Sequence, residues 1–379
     1  MNLFLLVGIS LAQVPLQNYW GEHVHWRNAQ DLAFAGVLVF SPGPAKVFDS
    51  PGQLGFVRNT AVQLSYGLSW DVEQRTRVVY DQFENAVGEA VFADNTSAAG
   101  LPGPFSCVYP VRTGFSLAAG FSPVLNFQYR YRKEYRDDFY MPIGEDRIEQ
   151  TGIVFQAEAG AGYRPLAWLG LGVSGGYLFG TRDLKSWRIV TPDTSYEHEA
   201  GKPSGIAYSS SVVARPSEVL AVEIGYSGPI ELTSWSTDTS NTTVVAKLPW
   251  RARLNLSYRA PGTLPSQASI EVEYNAWHAT DTTRSNVLSV QAGVEHKMLN
   301  FVSLRYGAGV EPSSFDPTVQ LVRVGAGIGL DAGFCLIDIG AMFGREVISP
   351  RLLRGPAMSV DQKVYSTGAV VGLTLSRGF

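Results

Sequence analysis

The chain has 379 residues, of which 17% are charged, with 39 glycines, 17 tyrosines and a net charge of −4. Stretches of roughly eighteen uncharged apolar residues are missing, which excludes a helix bundle in a membrane. Charge falls below the quarter usual in soluble enzymes, and nothing in its balance points to nucleic acid. Cys107 and Cys335 are far apart and give neither metal spacing nor a disulfide framework. Low charge with many glycines and aromatics suits strands that show one face to lipid.

Residues 1–12, MNLFLLVGISLA, read as the apolar core of a secretory signal ending in small residues. The other reading is a buried strand or helix. With a signal, the mature chain begins near Gln13 and is exported. Residues 13–59 are rich in Gly, Pro and aromatics and do not alternate. Such a segment cannot face lipid, because its backbone groups would lack partners. Inside a barrel it is satisfied, as a plug. His23 and His25 stand two apart with no third ligand near, and read as exposed or capping histidines.

From residue 60 onward the pattern has period two. The first strand covers 61–81, with Leu64, Tyr66, Leu68 and Trp70 on one face and Gln63, Ser65, Asp71 and Glu73 on the other. A Gly/Pro-rich loop with Cys107 is expected next. Strands follow at 113–121 and 124–132, joined by a short turn at Ser122-Pro123. In the second of them Leu125, Phe127, Tyr129 and Tyr131 oppose Asn126, Gln128, Arg130 and Arg132. Further strands fall at 149–163, 166–180, 205–215 and 218–227.

The sharpest pair is 250–260 and 268–277. Trp250, Leu254, Leu256 and Tyr258 oppose Arg251, Arg253, Asn255 and Arg259; Ile270, Val272 and Tyr274 oppose Glu271 and Glu273. An arginine at the bilayer midplane costs about 2–4 kcal/mol, so these charges are expected to face the lumen and pair across the ladder. Four strands near 288–295, 302–306, 322–328 and 335–343 precede the last, 364–379. The last ends on an aromatic, as the closing strand of an outer-membrane barrel does. Short turns and long loops alternate along the chain. The expected fold is therefore all-β: a fourteen-stranded antiparallel transmembrane β-barrel (residues 60–379) with an amino-terminal plug (13–59), in the bacterial outer membrane.

The run RNAQDLAFAGVLVFSPGPAKVFDSPGQLGF, residues 27–56, resembles the hatch of FadL-type outer-membrane proteins. Pro51 and Leu54 match that family's Asn-Pro-Ala-x-Leu motif, and Ser50 and Gly52 depart from it. LPWRARLNLSYR, residues 248–259, resembles a late-middle strand of the same family. The resemblance implies uptake of hydrophobic small molecules such as long-chain fatty acids or aromatic hydrocarbons, released sideways through the barrel wall. Phe34, Phe40, Phe48 and Leu54 would line an apolar slot, and Arg130, Arg132, Arg251 and Arg253 would attract a carboxylate head. Alternatively, the aromatics pack the plug and the arginines pair with Glu271 and Glu273.

Two other functions compete. Some relatives of this fold act as shuttles in secretion, and the loops 181–203 and 228–247, with Trp187, Tyr196 and Trp235, suit a protein partner at the cell surface. A general porin is the third reading, and the plug weighs against it. The partners expected are membrane lipid or detergent and a hydrophobic ligand. No cofactor, metal or enzymatic activity is expected. His278 with Asp281, and Asp137-Asp138 with His198, are the only candidate catalytic groups and read as solvated loops.

Overall fold

The computed structural model describes residues 21–24, 26–136, 141–190, 193–235, 242–262, 264–348 and 362–379. The signal read at 1–12, together with His25 and Asp137-Asp138, lies outside these residues.

Alternating apolar and polar residues form strands here because one side meets lipid and the other a packed interior. Fourteen strands close into one antiparallel ring. The first six in the ring are β2 (Ala61–Tyr80), β3 (Ala86–Arg112), β4 (Phe115–Asn126), β7 (Ile153–Leu166), β8 (Leu169–Gly180) and β11 (Pro203–Ala214). Then come β12 (Leu220–Ser227) and, beyond a hairpin of β13 (Ile230–Trp235) and β14 (Thr242–Leu248), β15 (Arg251–Ala260), β16 (Ser266–Asn275) and β17 (Val287–Leu299). β18 (Val302–Pro312), β19 (Gln320–Asp331), β20 (Leu336–Ile348) and β21 (Gln362–Gly378) complete it. β21 pairs with β2 from Ala61↔Gly378 to Arg77↔Gln362, so the sheet has no free edge.

The face assignment follows the alternation. Leu254 and Leu256 are 50% and 44% exposed on the outer wall, while Arg253 and Asn255 between and beside them are buried inside. The register sets Arg253 opposite Glu273 and Asn255 opposite Glu271. Tyr208, Tyr226, Trp250 and Tyr274 form a run of neighbouring rings, 6.4, 6.1 and 5.5 Å apart, on the wall of consecutive strands. This is an interfacial aromatic girdle.

Two strand readings need correction. Residues 86–112 form a barrel strand, not a loop. Residues 115–126 form a single strand that passes straight through Ser122-Pro123. The sequence pattern thus misses one strand and divides another, which leaves the count at fourteen and the later strand directions right. The strand from Phe115 runs outward, not inward.

Arg130 and Arg132 also stand elsewhere than expected. They belong to β5 (Tyr129–Arg136), in a separate four-stranded sheet with β6 (Pro142–Thr151), β9 (Arg182–Val190) and β10 (Asp193–Gly201). That sheet is built from the two long connections β4–β7 and β8–β11, on the outer side. Both arginines are exposed there, and Arg132 pairs with Glu145 at 2.8 Å. The sheet is tied to the barrel by Arg75 of β2, which is fully buried. Its guanidinium bonds Glu73 at 2.6 Å and Tyr129 Oη at 3.0 Å, and stacks 4.1 Å from the Tyr131 ring. Removing one member of such a buried ionic group is strongly destabilising, so the junction holds the outer sheet firmly on β2.

Residues 26–56 lie within the ring and are nearly all buried. Asn28 caps α1 (Ala29–Ala33) by accepting from Asp31 N at 2.7 Å. α2 (Lys46–Asp49) and a 3-10 segment (Pro51–Phe56) follow. Their backbone donors are met by inward side chains of distant strands. Ala29 N bonds Thr374 at 2.8 Å, Leu38 N bonds Glu271 at 3.1 Å and Gly52 N bonds Ser211 at 2.8 Å. A non-regular segment can be buried only with such partners. The inner-face glycines explain how close it comes. A Cβ at Gly172 would overlap the Pro51 backbone, and one at Gly340 would overlap the Ala29 carbonyl.

Candidate ligand cavity and wall break

Above the inner segment is a cavity of about 290 Å³. Its apolar lining includes Val24, Trp26, Leu101, Val124, Met342 and Val370. Val24, Trp26 and Leu101 belong to one buried cluster against which Met342 and Val370 pack. The lining also carries charge: Arg27, Lys247, Arg251, Arg284 and Arg323 with Glu22, Asp71, Glu273 and Glu311. Five cations against four carboxylates leave the lining slightly basic.

These cations are held in place by partners. Arg323 pairs with Glu311 at 2.7 Å, and Lys247 with Glu231 at 3.4 Å. Arg27 and Arg251 approach Asp49 to 2.9 and 3.9 Å. Arg284 comes from the outer loop after α3 (Trp277–Thr280). It is only 5% exposed, between the rings of Trp277 and Phe315 at 4.2 and 4.1 Å. Burial pulls its pKa down to about 10 against the opposing pull of Asp281, which leaves it charged at neutral pH. Arg284 also pairs with Asp281 at 3.7 Å.

The cavity reaches a break in the wall. β3 and β4 pair from Arg112↔Phe115 up to Phe105↔Phe121, and among the described residues their ladder stops there. Beyond it β3 stays paired with β2, while the edge of β4 is taken by the inner segment. β1 (Glu22–His23) sets Glu22 opposite Asn126 and His23 opposite Leu125, and Val24 N bonds Val124 O at 2.8 Å. Leu101 on β3 and Val124 on β4 flank this gap, and both line the cavity. A proline is tolerated at position 123 because no neighbouring strand demands its N–H, and the pairing of β4 with β7 slips there as well.

Of the eight residues expected from sequence to contact a ligand, Arg251 alone lines this cavity. Arg253 lies below it, buried, 3.6 Å from Asp49 and 4.0 Å from Glu273. Phe34 fits against Gly293 and Gly307, and Phe48 against Gly120. Phe40 packs edge-on to Phe56 at 5.6 Å, and Leu54 is buried against Gly162. These four side chains join the inner segment to the wall. Arg130 and Arg132 are on the outer sheet, away from the cavity. Trp26, Leu101, Val124 and Arg284 were not found from sequence. Trp26 is in a stretch with no periodicity, and Leu101 and Val124 are on strands whose limits the Gly/Pro pattern hid.

The groups weighed as catalytic are engaged locally. His278 Nδ1 is 3.2 Å from the Arg284 carbonyl, and Asp281 accepts from Thr283. His198 pairs with Asp183 at 2.7 Å on the outer sheet.

No family model matches the chain, and no curated protein matches it. Solved structures do. A Pseudomonas aeruginosa FadL homologue is 13% identical, with 95% of this chain and 100% of that one covered and a TM-score of 0.66. The Pseudomonas putida toluene transporter TodX is 12% identical over 94% and 99% of the two chains, at a TM-score of 0.61. The Ralstonia pickettii toluene transporter TbuX is 12% identical over 96% and 99%, at 0.52.

Proposed function

From the FadL-type fold of this bacterial outer-membrane barrel, we propose that the chain takes up hydrophobic small molecules, long-chain fatty acids among them, and releases them sideways through its wall. The observation that carries this reading is the contact between the cavity, whose lining is partly apolar and partly charged, and the gap between β3 and β4. An apolar tail lies on Trp26, Leu101, Val124 and Met342. A carboxylate head meets Arg251, Arg284 and Arg323. Residues 21–57 act as a plug that denies water-soluble solutes a straight path. When β1 leaves the edge of β4, the tail passes between Leu101 and Val124 into the bilayer. Its burial in hydrocarbon supplies the driving force, at about 0.8 kcal/mol per CH₂.

The test is uptake by cells that lack their own route. Cells expressing the chain should accumulate labelled oleate above the empty vector, with no gain for a labelled disaccharide of similar mass. Equal gains for both would replace this reading with a general porin; no gain for oleate or toluene would end it. A second reading, a surface scaffold for an exported protein, rests on the outer sheet. There β10 has no further strand beside it among the described residues, and Tyr196 is 54% exposed. A stable complex with one exported protein, without any uptake, is the outcome that favours it.

A further inference from the structure

On the outer wall, away from the cavity, an open groove runs along the upper ends of β19 and β20. Its floor is Val322, Val324 and Phe343, each between 46% and 48% exposed. Its upper rim is Thr318, Gln320 and Arg345. The pairing Val322↔Arg345 and Val324↔Phe343 sets Arg345 level with Val322 and one outward position above Phe343. Arg345 shares the lipid-facing side of β20 with Ile339 and Phe343, so its charge points away from the lumen.

The height of Arg345 follows from the neighbouring strand. Arg345 is opposite Thr367 of β21. From Thr367 the outward positions of β21 run Ala369, Val371, Leu373, Leu375 and then Arg377, beside the Phe379 ring at 4.9 Å. Ten residues separate Thr367 from Arg377 (377 − 367). At about 3.4 Å per residue and a tilt of about 40°, that is roughly 26 Å along the membrane normal. The apolar band of such barrels is about 25 Å tall. Arg345 and Arg377 therefore bracket the hydrocarbon, and Arg345 stands at the phosphate level of the outer leaflet.

A cation there, facing lipid, calls for an anion from the lipid. Among the described residues Arg345 meets the ring of Tyr365, at 5.8 Å, and no carboxylate. The loop's Asp316 is engaged by Thr318, whose N and Oγ1 donate to it at 3.0 and 2.6 Å. We propose that this groove binds a phosphorylated, acylated glycolipid of the outer leaflet, with its phosphate on Arg345 and an acyl chain along Val322, Val324 and Phe343. Chain and phosphate meet the wall in the order in which the lipid presents them. Gln320 offers hydrogen bonds to the sugar at the height of the rim. The site is independent of uptake through the lumen.

Native mass spectrometry of the full-length protein in a neutral detergent tests this. The probes are bis-phosphorylated lipid A, the same lipid stripped of both phosphates, and phosphatidylglycerol. The wild type should retain bis-phosphorylated lipid A in preference to the stripped form by about ten-fold, a factor equal to 1.4 kcal/mol. Arg345→Gln should lose that preference, whereas Arg377→Gln should keep it. Phe343→Ala should weaken retention of both lipid A forms and leave the preference. Equal retention of the two forms by the wild type, or an unchanged preference in Arg345→Gln, would overturn the proposal. Phosphatidylglycerol held as well as lipid A would reduce the groove to a general anionic-lipid contact and overturn the assignment to the outer leaflet. Heat-modifiable migration on gels confirms that each variant is folded before it is scored.

Discussion

Replacing Asp49 with alanine should turn a closed barrel into a leaky one. Its carboxylate is 10% exposed and stands 2.9 Å from Arg27, 3.6 Å from Arg253 and 3.9 Å from Arg251. Two of those arginines come from the wall strand β15 and one from the inner segment itself, so Asp49 closes a bridge between them. Arg27 also reaches across to Ser122 Oγ at 3.0 Å and the Pro123 carbonyl at 3.2 Å, beside the wall break. Without the carboxylate, three guanidinium groups face each other inside the barrel. Glu273 remains, 4.0 Å from Arg253, but it serves one of the three. Removing one partner of a buried ionic group costs about 3–5 kcal/mol. That cost falls on the docking of the inner segment, because the barrel ladder is unaffected.

Planar-bilayer recordings should therefore show open-channel steps for Asp49→Ala and none for the wild type. The apparent melting temperature should drop, and cells should become sensitive to a large hydrophilic antibiotic. Asp49→Asn, which keeps an acceptor for Arg27, should be milder. A variant with wild-type melting and no current would show that the segment is held by apolar contacts alone.

A cross-link between β1 and β4 should abolish uptake. Glu22 and Asn126 are directly opposite in an antiparallel pair, and both line the cavity. Opposed residues in such pairs have Cα atoms about 4.5–5.5 Å apart, within the range a disulfide spans. In a background with Cys107 and Cys335 changed to serine, Glu22→Cys with Asn126→Cys can be oxidised in place. If ligand leaves where β4 lacks β3, the tied β1 blocks it. Oleate uptake should fall to the empty-vector level on oxidation and return on reduction. Uptake that persists when thiol titration shows the cross-link complete would place the exit elsewhere.

Much of the barrel can be read from its residues, and the failures have physical causes. Strands β15 and β16 announce themselves because arginines and glutamates on one face alternate with Trp250, Leu254, Ile270 and Tyr274 on the other. Only one register keeps those charges out of lipid. β3 is different. Its run GLPGPF carries two prolines and two glycines where alternation should continue, and such residues normally mark a turn. They are accommodated because residues 100–104 have no partner in β4 among the described residues and the ladder with β2 shifts past Gly103 and Pro104, so the missing N–H groups break no ladder. The same one-sidedness lets Pro123 stand within β4.

The outer sheet misleads for another reason. YRYRKEYR alternates as a lumen-facing strand would, but alternation reports an extended chain with two different faces, not the sheet it joins. Arg130 and Arg132 therefore read as part of a barrel strand. The cavity was least legible of all. Its apolar wall joins Trp26, Leu101, Val124 and Met342 from four separate stretches, and no spacing along the chain records that meeting. The glycines on the inner face held a usable signal. Gly162, Gly172, Gly325 and Gly340 leave room where the inner segment touches the wall, and a face so short of side chains needs something else to fill the space.

Photo-crosslinking with a long-chain fatty acid carrying a diazirine near its methyl end puts the pathway to the most direct test. After irradiation of the detergent-solubilised wild type, the modified peptides should contain Trp26, Leu101 and Val124, and excess oleate should suppress them. Label concentrated instead at the periplasmic end of the lumen, around Arg305 and Asp338, would mean that the ligand passes down through the barrel and not out through its side.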